Sequence, residues 1–252
     1  MASSYFNMLR EITLADFKLR YYDSVLGIVW VFAKPFLMFA VLFTVFSFLK
    51  RFEVANYAWF LLLGIIIWNF FSDATSKSIL NMRSKSEFIK KIAFPREIIV
   101  YSACLNSLIT FALNILAYVV LALLFGGPLN IGFLLLIIPA TQILIFATGI
   151  SFFLSVLFVK ARDIAHIWEV FLRAFFWLTP IVYPLAVIPE KYRTLIFLNP
   201  LVSIINTARE LALYNTIPPL FDITLVFGVS IVVFVLGIAL FNRQSKYFAE
   251  EL

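Results

Sequence analysis

The chain has 252 residues, 63% of them hydrophobic and 13% charged, with 20 Lys and Arg against 14 Asp and Glu. A mean hydropathy of +1.01 excludes an ordinary soluble domain, and a single cysteine, Cys104, excludes an intrachain disulfide. The net charge of +6 would suggest nucleic acid in a soluble protein; in so apolar a chain the excess of Lys and Arg on cytoplasmic loops explains it more simply, and no nucleic-acid partner is expected.

Residues 1–27 come first and carry charges of both signs with no signal-peptide core, so no cleavage is expected. Tyr5, Met8, Leu9, Ile12, Ala15, Leu19 and Tyr22 recur at helical spacing, with Arg10, Glu11, Lys18 and Asp23 interspersed. This pattern predicts an amphipathic helix lying in the cytoplasmic interface or packed on a partner. Gly27 suits a turn from that helix into the membrane.

Apolar runs then predict an all-α membrane protein. Roughly 20 residues in a helix cross a hydrocarbon core about 30 Å thick, and lipid leaves no other partner for backbone polar groups. Six transmembrane helices are predicted, at Ile28–Leu49, Tyr57–Ser76, Ile98–Phe125, Ile131–Val159, Ile164–Tyr183 and Phe221–Phe241. They form a bundle over 28–241 within a single transmembrane domain, 1–252. Of the connecting segments, 1–27, 77–97, 160–163 and 242–252 hold 13 Lys or Arg, and the others hold 5. The positive-inside rule therefore places both termini and the basic loop 77–97 in the cytoplasm.

In the first span, Trp30, Lys34, Leu37 and Met38 share a face, and Pro35 should loosen the helix beside Lys34. Lys34 either snorkels to the cytoplasmic surface or faces a polar path. The loop 77–97 is the longest cytoplasmic connection between spans. Lys85, Lys90, Lys91 and Arg96 mix there with Phe88, Ile89, Ile92 and Phe94, which reads as a short docking helix ending near Pro95 rather than a solvated loop. Cys104 reads as a packed thiol.

The fifth span carries His166, Glu169, Arg173, Phe176, Trp177, Pro180, Tyr183 and Pro184 in steps of three and four, one stripe that is ionisable toward the cytoplasm and aromatic toward the outside. A charge at mid-membrane costs about 2.5–3.5 kcal/mol on insertion scales, so such residues tend to face a cavity or a partner. Glu169 and Arg173 can pair as a structural staple or belong to a polar path, and the aromatic half can be an interfacial belt instead. The expected transport path is Trp30, Lys34, Glu169, Arg173, Phe176, Trp177 and Tyr183. Aromatic rings on a wet path suit sugars, whose C–H faces lie flat on rings. The segment 184–220 is too long and apolar for a simple loop. Asn199–Pro200 breaks it into two short re-entrant helices, neither long enough to cross alone.

No G-x-x-x-x-G-K-[ST], H-E-x-x-H or G-x-S-x-G occurs, and the lone His166 has no companions for a metal site. Neither a catalytic group nor a metal is expected, and energy must reach the chain from outside.

Several ordered segments carry a family resemblance: SVLGIVWVFAKPF (Ser24 to Phe36), KKIAFPREI (Lys90 to Ile98), ARDI (Ala161 to Ile164), FWLTPIVYP (Phe176 to Pro184), LNPL (Leu198 to Leu201) and YFAEEL at the end. Together they resemble the permease subunit of type-2 ABC exporters for O-antigen and related cell-surface polysaccharides. The resemblance implies a homodimer of six-span subunits in the inner membrane, served by two separate ATPase subunits that bind ATP and Mg, with no cofactor on this chain. It implies that the N-terminal helix and the loop between the second and third spans contact those subunits. It also implies that undecaprenyl-diphosphate-linked glycan passes from cytoplasm to periplasm along the first and fifth spans, with the two short helices near the exit. Teichoic acid, capsule and drug export remain alternatives within this class. A secondary transporter or channel, and a membrane glycan-transfer enzyme, are the rivals outside it.

Exposed ion pairs contribute little, so the apolar side chains of the basic loop should anchor the partner. Phe88→Ala with Phe94→Ala is expected to leave ATP hydrolysis running while glycan export falls; normal export in the double variant would refute the anchor.

Overall fold

The computed structural model describes residues 2–22, 27–48, 54–85 and 94–248. Among them the chain is all-helical, with nine α-helices and no strand: α1 (Ala2–Tyr22), α2 (Val29–Phe48), α3 (Tyr57–Ser84), α4 (Glu97–Phe125), α5 (Ile137–Lys160), α6 (Ile164–Leu178), α7 (Glu190–Phe197), α8 (Pro200–Leu213) and α9 (Leu220–Gln244). A 3-10 turn, Ile131–Leu136, leads into α5.

Five helical stretches are long and apolar enough to cross a membrane: α2, α3, α4, the turn with α5 (Ile131–Lys160), and α9. The predicted fifth span differs. Its helix stops at Leu178 instead of reaching Tyr183, and 15 residues rise only about 22 Å. The cause is local. Pro180 and Pro184 supply no N–H, and Thr179, before Pro180, is driven to extended backbone at φ −87°, ψ 133°. The second span also differs, running on to Ser84. Its 28 residues rise about 42 Å, so its last turns project beyond an apolar core about 30 Å thick. The break expected at Asn199–Pro200 becomes the start of α8. Asn199 is the N-cap, its side chain accepting from the Leu201 amide at 3.1 Å, and Pro200 takes the first turn, where its missing N–H is not needed. Gly27 adopts φ 45°, the turn conformation that its position before α2 calls for.

The helices α3 and α5 are buried nearly all round, whereas α2, α4 and α9 bury one face only. Buried hydroxyls bond back along their own helices, as Thr75 does to Phe71 O at 2.8 Å and Ser78 to Ala74 O at 2.8 Å. Cys104 is a buried free thiol, 3.6 Å from Ser151 Oγ. Aromatic edges join the end of α9 to the core: Tyr101, Phe152, Phe241 and Phe248 follow one another at centroid distances of 5.0–5.3 Å.

Segments that the charge count assigns to one side meet at one end of the bundle. At one end, Asn130 Nδ2 donates to Ala212 O at 3.0 Å and the Gly132 amide to Asn215 Oδ1 at 3.3 Å. At the other, α1 packs on α4 and on the far end of α3.

The helices α5 and α9 approach backbone to backbone. A Cβ on Gly149 would lie 2.7 Å from the Phe234 nitrogen, and one on Gly237 would lie 2.5 Å from Gly149 O. Gly149→Ala and Gly237→Ala are each expected to cost about 1–3 kcal/mol through overpacking. Because both push the same pair of helices apart, the double variant should cost less than the sum of the two. Melting temperatures of the purified protein check this.

Candidate functional site

Where α6 ends, the chain must leave a helix without stranding its last carbonyls. Side chains supply the donors. Tyr183 Oη donates to Trp177 O at 2.9 Å, and Tyr57 Oη, from the start of α3, to Val182 O at 2.9 Å. Arg209 of α8 donates from Nη1 to Pro180 O at 2.7 Å and from Nη2 to Ile181 O at 2.7 Å. The same guanidinium reaches Phe60 O from Nε at 3.3 Å and from Nη2 at 3.2 Å, and lies over the Phe60 ring, 3.4 Å from its centroid. Arg209 is 3% exposed. Gly64, one turn beyond Phe60, leaves it room, since a Cβ there would lie 2.5 Å from Nη2. Asn199 Nδ2 closes the set with a bond to Thr179 Oγ1 at 3.1 Å.

The helix α6 leans on α3 through rings. Trp68 meets Phe176 edge-on at 5.7 Å, Phe71 meets Trp168 at 6.2 Å, and Trp168 Nε1 donates to Thr75 Oγ1 at 3.0 Å. Phe176 is therefore buried, while Trp177 beside it is 54% exposed. Glu169 and Arg173 pair on the open face. A groove of about 640 Å³ runs between α2, α3 and α6, with Leu37, Met38, Trp68, Arg173, Phe176 and Trp177 on its walls.

Trp30 and Lys34 lie on the other side of α2. They line a separate polar cavity of about 540 Å³ with Asn69, Asp73, Thr110 and Asn114. Asp73 pairs with Lys77 at 2.7 Å. The helix α2 is thus a partition, and Met38 borders both spaces. The seven path residues read from the sequence do not form one surface. Arg173, Phe176 and Trp177 share the groove; Tyr183 braces the Trp177 end of it from the unwound turn; Trp30 and Lys34 belong to the polar cavity. Glu169 faces an opening of about 740 Å³ between the ends of α3, α5 and α6, with Arg83, Asp163 and His166.

Of the coupling residues, Phe88, Ile89, Lys90 and Lys91 lie outside the described residues. Lys85 Nζ reaches Asp16 Oδ2 at 2.5 Å, tying α1 to the end of α3, and Asn81 Nδ2 adds a bond to the same oxygen at 3.3 Å. Phe94 packs against the core, and Arg96 precedes α4 half-buried. Thr13 O accepts from Asn106 at 3.5 Å. Burial, with the Glu97 carboxylate adding to it, pushes the Tyr5 phenol above its ordinary value. The N-terminal helix is thus built onto the bundle end that carries the basic loop.

Sequence reasoning missed Arg209, Gly64, Asp16, Asp73, Asn69 and Asn114. Arg209 had a signal. It follows Leu201 and Ile205 at steps of four and precedes Leu213, an arginine on the apolar stripe of a short helix.

Residues 8–213 match the family model of the ABC-2 type transporter membrane domain. The chain belongs to that family. It is also 30% identical over 249 residues to an O-antigen export system permease protein RfbA of Klebsiella pneumoniae, covering 98% of this chain and 95% of that one. A protein of the same description from Myxococcus xanthus is 26% identical over 98% of this chain and 96% of its own length. The polysialic acid transport protein KpsM of Escherichia coli is 22% identical over 94% of this chain and 93% of its own. The family is one of transport proteins, and most of α1 and the groove beside α2 and α6 fall within the matched residues.

Asp16 and Lys85 are each less than a quarter exposed. Asp16→Lys should detach α1 and cost about 1–3 kcal/mol, because Lys85 then meets a like charge. Adding Lys85→Asp should recover most of the loss, read as melting temperature and as the amount of membrane-inserted protein. A double variant no better than the single one would show that the pair does not hold the helix.

Proposed function

We propose that this chain is the membrane-spanning permease subunit of an ATP-driven exporter that moves lipid-linked O-antigen or a related polysaccharide from the cytoplasm to the periplasm. The observation that carries the reading is similarity over nearly the whole chain to O-antigen export permeases, joined to the family match over 8–213. The working unit is two copies of this chain in the inner membrane with two ATPase subunits, which bind ATP and Mg. This chain supplies no nucleotide site of its own.

In this reading the fifth crossing is α6 together with the unwound turn after it, making six crossings with both termini in the cytoplasm. The groove beside α6 faces the second copy and carries the glycan. Its chemistry is suited to a long polyol. Exposed Trp177 offers a flat apolar face for sugar C–H groups, and the Glu169–Arg173 pair keeps the inner end wet. Few fixed hydrogen-bond donors point into the groove, so a repeating chain can slide rather than lodge. The basic loop 77–97 and α1 receive the ATPase, with Lys85, Phe94 and Arg96 at its edges and Phe88, Ile89, Lys90 and Lys91 between them. The similarity to a polysialic acid transport protein favours a second reading, export of a different cell-surface polysaccharide by the same machinery.

Deleting the gene should leave lipid-linked glycan in the cytoplasmic leaflet, and its sugars identify the substrate. Purifying the chain from native membranes should bring a P-loop ATPase with it in fixed ratio. Transport driven by an ion gradient without such a subunit would overturn the reading. Within it, Trp177→Ala should lower surface glycan about tenfold, the scale of one lost aromatic contact, with assembly unchanged. Normal export by that variant would remove Trp177 from the path.

A further inference from the structure

Arg209 is a buried arginine with no carboxylate paired to it among the described residues. Its neighbour Glu210 is engaged elsewhere, accepting from Asn206 Nδ2 at 2.6 Å. A charge buried in this way is retained only where its donors find partners. Here four of its hydrogen bonds go to the carbonyls of Phe60, Pro180 and Ile181, which belong to the second crossing and to the unwound end of the fifth. One planar group thus joins α8, α3 and the turn after α6.

The junction extends further. Phe60 stacks on Tyr57 at 6.1 Å, Tyr57 on Phe43 at 6.2 Å, and Phe43 on Phe39 at 5.4 Å. That ladder reaches the outer half of α2. Tyr57 holds Val182 O, and Asn199 holds Thr179. The Gly64 position leaves room for the guanidinium, since a Cβ there would lie 2.5 Å from Nη2.

We propose that Arg209 is a positioning residue for export. It fixes the outer end of the fifth crossing in its unwound form and keys that end to α3 and α8, so that the outer mouth moves as one preformed block instead of hinging at residues 179–184. The proposal rests on the export reading above. Lysine cannot replace it. An ammonium is a compact, strongly hydrated point charge that cannot bridge carbonyls on two elements while lying flat on a ring.

The test uses the full chain with its ATPase partner, in cells lacking the wild-type gene. Arg209→Gln should reduce surface glycan about tenfold or more, because buried carbonyls lose their donors, while the partner still co-purifies and hydrolyses ATP. Amide hydrogen exchange over 177–188 should speed up in the same variant, and Arg209→Lys should rescue neither readout. Gly64→Ala keeps the arginine but displaces it, so it should reproduce both effects. Combined with Arg209→Gln it should add nothing, which decides the matter even if Arg209→Gln accumulates poorly. A disulfide between Thr179→Cys and Asn199→Cys should leave export intact, since that contact is held throughout; Cys104 is buried and does not compete.

Wild-type export by Arg209→Lys would overturn the proposal. So would a disulfide that stops export until it is reduced. A wild-type complex that exports no glycan would instead refute the export reading, and the hydrogen-exchange readout would still report whether Arg209 fixes the turn.

Discussion

Backbone carbonyls released where α6 unwinds govern one end of this protein. In water they would be solvated at little cost. In an apolar layer each unmatched group costs several kcal/mol, so the turn from Thr179 to Pro184 exists only because donors converge on it. Tyr183 serves its own helix end, Tyr57 comes from α3, and Arg209 comes from α8. This requirement explains features that otherwise look unrelated. It explains an arginine on the apolar stripe of a short helix, a glycine inside a helix that is otherwise large and apolar, and a tyrosine at the first position of α3. It also explains why α8 is buried in the bundle: it has to deliver Arg209.

The outer turn has a counterpart in the way α2 divides the molecule. Its Pro35 is buried, and its two sides differ in chemistry. Toward α6 lie Leu37, Val41 and the rings of Trp68 and Trp177; toward α4 lie Lys34, Asp73, Asn69 and Asn114. A helix that separates a polar space from an aromatic groove, and that buries little of its own surface, is held by fewer contacts than α3 or α5. It can shift with less loss of packing than either of them.

Much of this was legible in the sequence. Apolar run length gave the long helices, Asn199–Pro200 gave the break between α7 and α8, and the periodicity of residues 5–22 gave α1. The fifth span was read too long because its hydropathy continues through Thr179 to Tyr183; Pro180 and Pro184 were counted on a stripe instead of as the end of a helix. The site was legible one element at a time. Glu169, Arg173 and Trp177 share a helix, so spacing relates them. The resemblance joins Trp30 and Lys34 to them through a path along the first and fifth spans, and periodicity along one helix says nothing of which side of a neighbour it meets. Arg209 was counted as an outer-loop charge, since charge counting assigns residues to sides of a membrane and not to partners. Its role depends on Phe60 and Gly64, some 145 positions away in sequence, and a single chain read alone carries no mark of that contact.

The helix α3 joins these parts into one mechanical argument. Its last turn pairs with α1 through Lys85 and Asp16; its middle carries α6 on Trp68, Phe71 and Thr75; its first turns hold the unwound turn and α8 through Tyr57, Phe60 and Gly64. It is buried nearly all round and has no proline within its 28 residues, so the commonest cause of a sharp kink is absent from it. In the export reading, a displacement delivered at α1 is carried along α3 to its far end and moves the parts fastened there with it. On that reading the groove opens or closes by movement of this block against α2, which buries little of its own surface.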